Sequence, residues 1–169
     1  MVANLFEPDF DSESEREGFS YRRARLGWQA GTERLGASVY ELPPGQATFP
    51  FHWHSANEEL LIVLSGRPSL RTGEGWRELA EGEVVTFRIG PEGAHQVMNR
   101  GGEPVRFLIV SEMNAPELSG YPDTGKLGIL GRPPGARDDP DEVFGFFRAE
   151  DEVDYFEGEP LPDPGDGDD

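Results

Sequence analysis

Three histidines and one glutamate stand out as the residues most able to do chemistry. The chain has 169 residues and only three histidines, and all three fall between His52 and His95. His52 and His54 flank a tryptophan, Glu59 follows shortly after, and His95 lies further along. Imidazole nitrogens and carboxylate oxygens are ordinary ligands of first-row transition metals. We therefore expect His52, His54, Glu59 and His95 to bind one metal ion.

The spacing of these residues fits ligands carried on strands. Residues at i and i+2 of a strand point to the same face, roughly 6.5–7 Å apart along the chain, so His52 and His54 can reach the same ion. Alternation places Glu59 on the same face as Leu61 and Val63. A single HxH pair is a weak signal, and a lone buried histidine is more often a hydrogen-bonded core residue. The metal is favoured because every histidine of the chain falls into the pattern.

The elements around these residues are predicted to be short strands. Gly and Pro contribute 22 and 15 residues, which marks many turns, and no long helical periodicity is present. Short strands separated by turn residues indicate an all-β sandwich or barrel. The predicted strands cover residues 19–26, 34–42, 48–54, 59–65, 67–72, 75–79, 83–87, 95–99 and 105–112, with further short elements at 143–147 and 153–156.

The charge of the chain is concentrated at its two ends. The net charge is −18, of which −5 comes from residues 1–20 and −13 from residues 138–169, so the middle is neutral. We predict an N-terminal arm over residues 1–18, a single domain over residues 19–157, and an acidic tail over residues 158–169 with the composition of a disordered segment.

Composition argues against several classes of partner. An acidic chain without clustered Lys and Arg is a poor match for nucleic acid or for an anionic membrane surface. No apolar run is long enough to span a membrane, and the acidic start does not look like a signal peptide. The absence of cysteine excludes disulfides and thiolate chemistry. We expect a cytoplasmic protein that binds a small molecule and neither nucleic acid nor membrane.

The pattern resembles the two motifs of the cupin superfamily. The first motif is a glycine, HxH, three or four residues, Glu, six residues and Gly, and it is matched by Gly45, His52-Trp53-His54, Glu59 and Gly66. The second ends in His, three residues and Asn, and it is matched by Gly82, His95 and Asn99. The motif spacing selects Glu59 over Glu58. Two departures occur: Gly45 is one residue further from His52 than usual, and Arg88 replaces a proline before a longer loop at residues 90–94.

The resemblance covers residues 43–112, and the chain as a whole looks like the small single-domain cupins of undefined activity. It implies a cupin-type double-stranded β-helix, or jelly-roll barrel, with short terminal arms. It also implies a mononuclear site with three histidines and one glutamate, holding one divalent transition metal ion: Fe, Mn, Zn, Ni, Cu or Co. Three neutral imidazoles and one carboxylate give such a site a net charge of +1, and an octahedral ion would keep two positions open.

Several functions remain compatible with this site, because a fold does not fix a function. The favoured one is a metal-dependent oxidoreductase resembling a dioxygenase. The alternatives are a non-catalytic module that binds a sugar or organic acid, a metal-dependent isomerase, or a structural metal domain. An open pocket with a nearby polar group would favour an enzyme, whereas an ion sealed by Phe49, Phe87 or Met113 would favour a structural role.

Other residues are weaker candidates. No catalytic residue is assigned, although Tyr40 and Glu41 could lie near the ion; the simpler interpretation is a packed tyrosine and a solvated glutamate. Arg34, Arg67 or Arg88 could bind a carboxylate, but each is more simply a surface residue.

The faces of two strands that point away from the metal predict an apolar surface. Phe51 and Trp53 alternate with the histidines, and Leu60, Ile62 and Leu64 occupy the second face of the next strand. We expect this surface to form a homodimer interface. The alternative is cover by the chain's own ends, with the aromatic residues supplied by Phe6, Phe10, Phe144, Phe146 and Phe147.

Overall fold

The computed structural model describes residues 1–132 and 143–160, and antiparallel strands dominate this part of the chain. The strands are β1 (Ser12–Arg16), β2 (Phe19–Ala24), β3 (Leu35–Leu42), β4 (Trp53–His54), β5 (Glu59–Ser65), β6 (Ser69–Thr72), β7 (Gly75–Glu78), β8 (Val84–Phe87), β9 (Gln96–Met98), β10 (Val105–Glu112), β11 (Glu117–Tyr121), β12 (Lys126–Leu130) and β13 (Phe144–Arg148). One α-helix, α1 (Leu26–Ala30), and 3₁₀ turns at Pro91–Gly93 and Ala149–Asp151 complete the described elements. The all-β prediction is confirmed.

The strands form one large sheet and two smaller ones. The large sheet has the order β1-β2-β3-β10-β5-β8. The smaller sheets have the orders β13-β12-β11-β4 and β7-β6-β9, and they meet at a β-bridge between His52 and His95. Every paired neighbour is antiparallel. This arrangement is the expected jelly-roll barrel.

The hydrophobic core lies inside the barrel. Leu61 and Val63 on β5 are almost fully buried, as their alternation predicts. Leu60, Ile62 and Leu64 face the other way and are only half-buried. The buried core residues are Tyr40, Leu42, Leu61, Val63, Leu70, Leu79, Phe87, Val97, Val105 and Phe107. A packed interior on one side and a partly covered outer face on the other explain why β5 is apolar on both faces.

The N-terminal segment covers part of the outer face of the large sheet. A second cluster centred on Ala24, Leu26 and Val39 packs against Ala3, Leu5, Phe10, Ala37, Leu64 and Leu108. Phe10 takes part in this packing, whereas the Phe6 side chain remains 76% exposed. The aromatic residues of β13 are about half exposed: Phe144, Phe146 and Phe147. The chain's own start therefore shields one end of this surface and leaves the rest accessible.

Phe51 and Trp53 are covered by the chain's own elements. Phe51 is 8% exposed, with the Arg71 guanidinium 4.3 Å above its ring. The Trp53 indole packs directly on Gly120 of β11, where any Cβ would overlap it. These two aromatic side chains therefore do not belong to an exposed patch, and the predicted dimer interface is reduced to Leu60, Ile62 and their neighbours.

Several elements differ from the sequence prediction, each for a local reason. The strand predicted over residues 19–26 ends at Ala24, and α1 follows it, closed by Gly31 in the left-handed conformation at φ 84°. A five-residue helix is too short to show a helical period. β1 consists of polar and charged residues, so it has no apolar alternation, although it pairs with β2 along its whole length. The strand predicted over 48–54 shortens to Trp53–His54, and 153–156 forms no strand.

Most of the predicted acidic tail falls outside the described residues. The predicted acidic tail begins at residue 158, and residues 161–169 lie outside the described part. The described residues contain no helix long and apolar enough to cross a bilayer.

Candidate metal centre

The fold brings His52, His54, Glu59 and His95 together. His52 precedes β4, His54 ends it, and Glu59 begins β5. His95 follows the 3₁₀ turn Pro91–Gly93. Its backbone forms two hydrogen bonds with that of His52: the His52 N–H donates to His95 O at 3.1 Å, and the His95 N–H donates to His52 O at 2.9 Å. The His52 ring centroid lies 4.9 Å from that of His54 and 4.7 Å from that of His95.

Glu59 faces the histidines, and its neighbour Glu58 does not. The Glu59 Oε2 atom is 3.2 Å from His95 Nε2 and 3.6 Å from His54 Nε2. Two donors bound to one ion at about 2.1 Å lie roughly 3.0–3.4 Å apart in octahedral or tetrahedral geometry, so these separations approach those of a shared ion. Glu58 is exposed, with its backbone N–H bonded to the Glu112 carboxylate. The structure thus separates the two glutamates in the way that alternation along the strand predicts.

Backbone carbonyls orient two of the three imidazoles. His52 Nδ1 lies 2.9 Å from Pro50 O, and His95 Nδ1 lies 3.0 Å from Gly93 O. A carbonyl oxygen can only accept, so each bond requires a proton on Nδ1, and in the neutral imidazole the lone pair is then on Nε2. Metal-bound histidines characteristically donate their other N–H to such an acceptor. These contacts prepare His52 and His95 to bind an ion through Nε2.

A carboxylate that the sequence did not reveal lies behind His54. The His54 Nδ1 atom lies 3.7 Å from Glu117 Oε1, is buried, and has no partner at hydrogen-bond distance among the described residues. A small movement of the ring would complete a carboxylate–histidine pair behind the centre. Glu117 lies on β11, which pairs directly with β4. It therefore supports His54 from the side away from Glu59.

Glu117 is held in place by a network of hydrogen bonds. The side chain is buried, and its Oε1 accepts the Ser55 N–H at 2.7 Å. The Asn57 side-chain amide donates to Oε2, and the Asn57 Oδ1 in turn accepts the Asn114 N–H at 2.7 Å. A carboxylate enclosed by donors is fixed in position. The sequence could have indicated that Glu117 supports His54 only as an acidic residue at the start of β11, and that strand was not predicted.

The charges at the centre suit a metal site. Burial, together with the neighbouring His95 and His54, lowers the pKa of His52 to about 3, so this imidazole is neutral near pH 7. Burial acts to raise the pKa of Glu59, but its contacts with His95 and the other histidines lower it to about 2. Burial also acts to lower the pKa of His54, and the carboxylates of Glu117 and Glu59 outweigh it and raise that pKa. Glu59 is therefore the anionic ligand of the set.

The four side chains are of types that bind divalent ions, and they face one another. They are too far apart to coordinate one ion without moving. Within residues 1–132 and 143–160, no group of three or more His, Cys, Asp or Glu side chains is arranged closely enough to hold an ion as it stands. The rings of His54 and His95 are 6.2 Å apart, which is the widest separation between the three histidine rings. Binding would require these side chains to turn inward, with His52, His54, Glu59 and His95 as the ligands.

The centre lies in the wall of a large cavity. The cavity has a volume of about 1020 Å³, and polar residues of all three sheets line it, among them Tyr40, Gln96 and Ser119. The side chains of His54 and Glu59 keep 11% and 13% of their surface exposed, so small molecules can reach them. Phe87 stacks beneath His95 at 3.7 Å without closing the cavity. The four side chains are therefore open to the cavity.

The other sequence candidates lie away from the centre, with one exception. Glu41 faces outward and binds Arg22 and Arg106. The three arginines considered as carboxylate ligands are exposed: Arg34, Arg67 and Arg88. Tyr40 is the exception, because it is buried and lines the cavity. Leu42, two residues along β3, is buried on the same inner face.

Comparisons with known proteins agree with the jelly-roll architecture. Residues 38–111 match the family described as the cupin domain. A sugar phosphate isomerase of the cupin superfamily from Silicibacter pomeroyi has a similar structure, with a TM-score of 0.73, 23% identity, and coverage of 96% of this chain and 97% of that one. A putative sugar phosphate isomerase from Acidithiobacillus ferrooxidans gives a TM-score of 0.71 at 22% identity, covering 87% of this chain and 88% of that one.

A smaller protein shares the central barrel. A predicted oxalate decarboxylase from Thermotoga maritima matches with a TM-score of 0.55 and 22% identity, covering 66% of this chain and 98% of that one. No curated protein matches the chain in sequence. At these identities the structural similarities establish the fold alone. The family match spans both histidine-bearing motifs, so residues 38–111 carry a cupin domain.

Proposed function

We propose that this protein is a metal-dependent enzyme that acts on a small molecule at a three-histidine, one-glutamate centre, with dioxygenase-like oxidoreductase chemistry as the favoured reaction. One observation carries the proposal: three imidazoles and Glu59 converge in the wall of an accessible cavity of about 1020 Å³. Cavities of roughly 300–1,000 Å³ or slightly more enclose typical small-molecule ligands.

The protein's own residues would position the substrate and exclude water. Three imidazoles and a carboxylate would hold the ion, which would supply Lewis-acid and, if redox-active, electron-transfer chemistry. Phe49 and Tyr121 flank His52 and form apolar walls, with ring centroids 5.9 Å and 6.0 Å from that histidine. Burial raises the pKa of Tyr40 to about 12, so its hydroxyl remains protonated and can donate a hydrogen bond.

Among the described residues, the acid–base groups closest to the centre are already engaged, which favours oxidation at the centre over proton transfer by the protein. All three histidines are assigned to the ion, and Glu117 is enclosed by donors behind His54. An isomerase needs a general base, and Tyr40 is a poor one because its hydroxyl is so weakly acidic. Isomerisation remains the second candidate, because two proteins with similar structures over most of the chain bear the name sugar phosphate isomerase.

Metal reconstitution with product analysis tests the proposal. Metal-free protein would be loaded anaerobically with Fe(II), Mn(II) or Zn(II) and mixed with chelating small molecules such as 2-oxo acids, 1,2-diols and hydroxy sugars. We expect substrate-dependent dioxygen consumption with Fe(II), abolished by Glu59→Gln and retained by the exposed control Glu58→Gln. Oxygen-independent conversion to a product of equal mass would instead indicate an isomerase. Binding without conversion would contradict the enzymatic proposal and support a binding module.

A further inference from the structure

Arg23 enters the cavity from the strand next to Tyr40. It lies on β2, where its register partner on β3 is Tyr40. Residues paired across antiparallel strands project from the same face, and both of these side chains line the cavity that contains the metal centre. Arg22, one residue earlier, projects to the opposite face and pairs with Glu41. Two adjacent arginines therefore have different surroundings.

The Arg23 guanidinium is incompletely satisfied. Its Nε atom is buried and has no hydrogen-bond partner among the described residues. Buried side-chain nitrogens are normally paired, and an unpaired one inside a cavity marks a position where a ligand atom could bind. Burial acts to lower the pKa of this guanidinium, and the Tyr40 side chain beside it is the neighbour that acts most to raise it. A tyrosine hydroxyl can hold the guanidinium in position but does not neutralise its charge.

The neighbouring carboxylates are already engaged. Asp11 is the carboxylate whose charge acts on Arg23, and Asp11 accepts hydrogen bonds from Arg25 Nε at 2.8 Å and from the Gln29 amide at 3.2 Å. Glu59 faces the histidines. Arg23 therefore presents a positive charge that the surrounding acids do not fully balance.

The distance between Arg23 and the centre suits a ligand with two functional ends. β2 and β5 are separated by β3 and β10 in the large sheet, which places their backbones roughly 14 Å apart at about 4.8 Å per strand. The Arg23 and Glu59 side chains both extend into the space between them. A molecule of several heavy atoms could contact the centre with one end and Arg23 with the other.

We propose that Arg23, positioned by Tyr40, binds an anionic oxygen group of the substrate, either a carboxylate or a phosphate, while the other end of the substrate approaches the histidines. The planar guanidinium fork matches the oxygens of both groups. The proposal rests on the proposed function, because it assumes that the cavity binds a substrate. It adds the chemical class of that substrate, an acid or a phosphate ester, and a residue that recognises it.

The test uses three probes that share a three-carbon skeleton: glycerate, glycerol 3-phosphate and uncharged glycerol. Binding would be followed by amide chemical shifts at low ionic strength, with the protein as purified and after metal removal. The variants are Arg23→Gln, Arg23→Lys and the matched control Arg22→Gln on the opposite face. Thermal melting without ligand would show whether each variant is folded.

We expect at least one charged probe to bind tenfold or more tightly than glycerol. Arg23→Gln should remove this preference, because a hydrogen bond to a charged group is lost. Arg23→Lys should retain only part of it, and Arg22→Gln should change affinity less than twofold. The probe that binds identifies the group as carboxylate or phosphate. If Arg23→Gln does not fold, the Arg23→Lys variant decides. The proposal would be overturned if this variant bound the charged probes as tightly as the parent protein does and if the parent bound glycerol as tightly as the charged probes.

The same experiment separates this proposal from the metal site. Anion binding that persists after metal removal would support the Arg23 subsite even if the four ligands proved to hold no ion. Equal binding of all three probes, or full affinity in Arg23→Gln, would overturn the subsite while leaving metal content unaffected.

Discussion

Glu117→Gln is the substitution that tests the support behind His54. The glutamate is 1% exposed, with donors at both carboxylate oxygens: the Ser55 N–H at 2.7 Å and the Asn57 side-chain amide. Glutamine has one acceptor oxygen and one NH₂ group, so in either orientation its NH₂ faces one of these donors. The substitution also removes the negative charge opposite His54 Nδ1.

The expected magnitude follows from these contacts. One buried donor without an acceptor costs about 1–3 kcal/mol of unfolding free energy, which lowers Tm by roughly 2–12 °C in a domain of this size. Loss of a partner that orients a metal-bound histidine typically costs about 10–100-fold in metal affinity. We therefore expect both the stability of the metal-free protein and its metal affinity to fall.

Two assays measure these effects separately. Urea unfolding of the metal-free protein reports stability, and competition with a chromophoric chelator reports metal affinity. Glu112→Gln is the matched control, because Glu112 is an exposed glutamate whose carboxylate accepts the Glu58 N–H. A Glu117→Gln protein with metal affinity within twofold of the parent would refute the proposed support of His54, even if its stability were reduced.

Three further predictions concern packing, pH and assembly. Gly120→Ala should destabilise the protein by about 1–3 kcal/mol in urea unfolding, because its Cβ would overlap the Trp53 indole, whereas Gly73→Ala, with open space around it, should change stability by less than about 0.5 kcal/mol. In metal-free protein, the pKa of His52 is about 3 in the folded state and 6.5 in the unfolded state, so the unfolded state takes up the proton first as the pH falls. The free energy of unfolding should therefore fall by about 2 kcal/mol between pH 6.5 and 5, and His52→Gln should remove this decrease. His54 has a raised pKa, so its effect on stability has the opposite sign. Light scattering should give the mass of two chains if Leu60 and Ile62 lie in a dimer interface, and the mass of one chain would contradict that prediction.

The local spacing of the ligands made much of the site predictable. His52, His54 and Glu59 lie close together in sequence, so strand alternation could place the two histidines on one face, and the motif spacing selected Glu59 over Glu58. His95 joined them through its second motif. The long strands were also predictable, and β10 has the limits expected from its apolar run.

Glu117 and Arg23 could not be predicted, because their roles depend on strand pairing over long sequence distances. Glu117 reaches Ser55 across 62 residues, and it lies on a strand whose apolar alternation is broken by Glu117 itself and by Gly120. In the sequence, nothing distinguishes Arg23 from a surface arginine on a strand. Its pairing with Tyr40 across β2 and β3 shows that it faces the interior. The same limit applied to Glu41, because alternation requires Tyr40 and Glu41 to face opposite sides but does not say which side is the interior.

Metal content measured on native protein beside His95→Ala tests the central claim most directly. His95 is buried, and its Nε2 lies 3.2 Å from Glu59 Oε2, so it is central to the proposed ligand set. We predict close to one equivalent of a divalent transition metal in the native protein and near zero in a folded His95→Ala variant. A native protein that binds no metal after reconstitution, or a variant that keeps its full equivalent, would contradict the four-ligand centre.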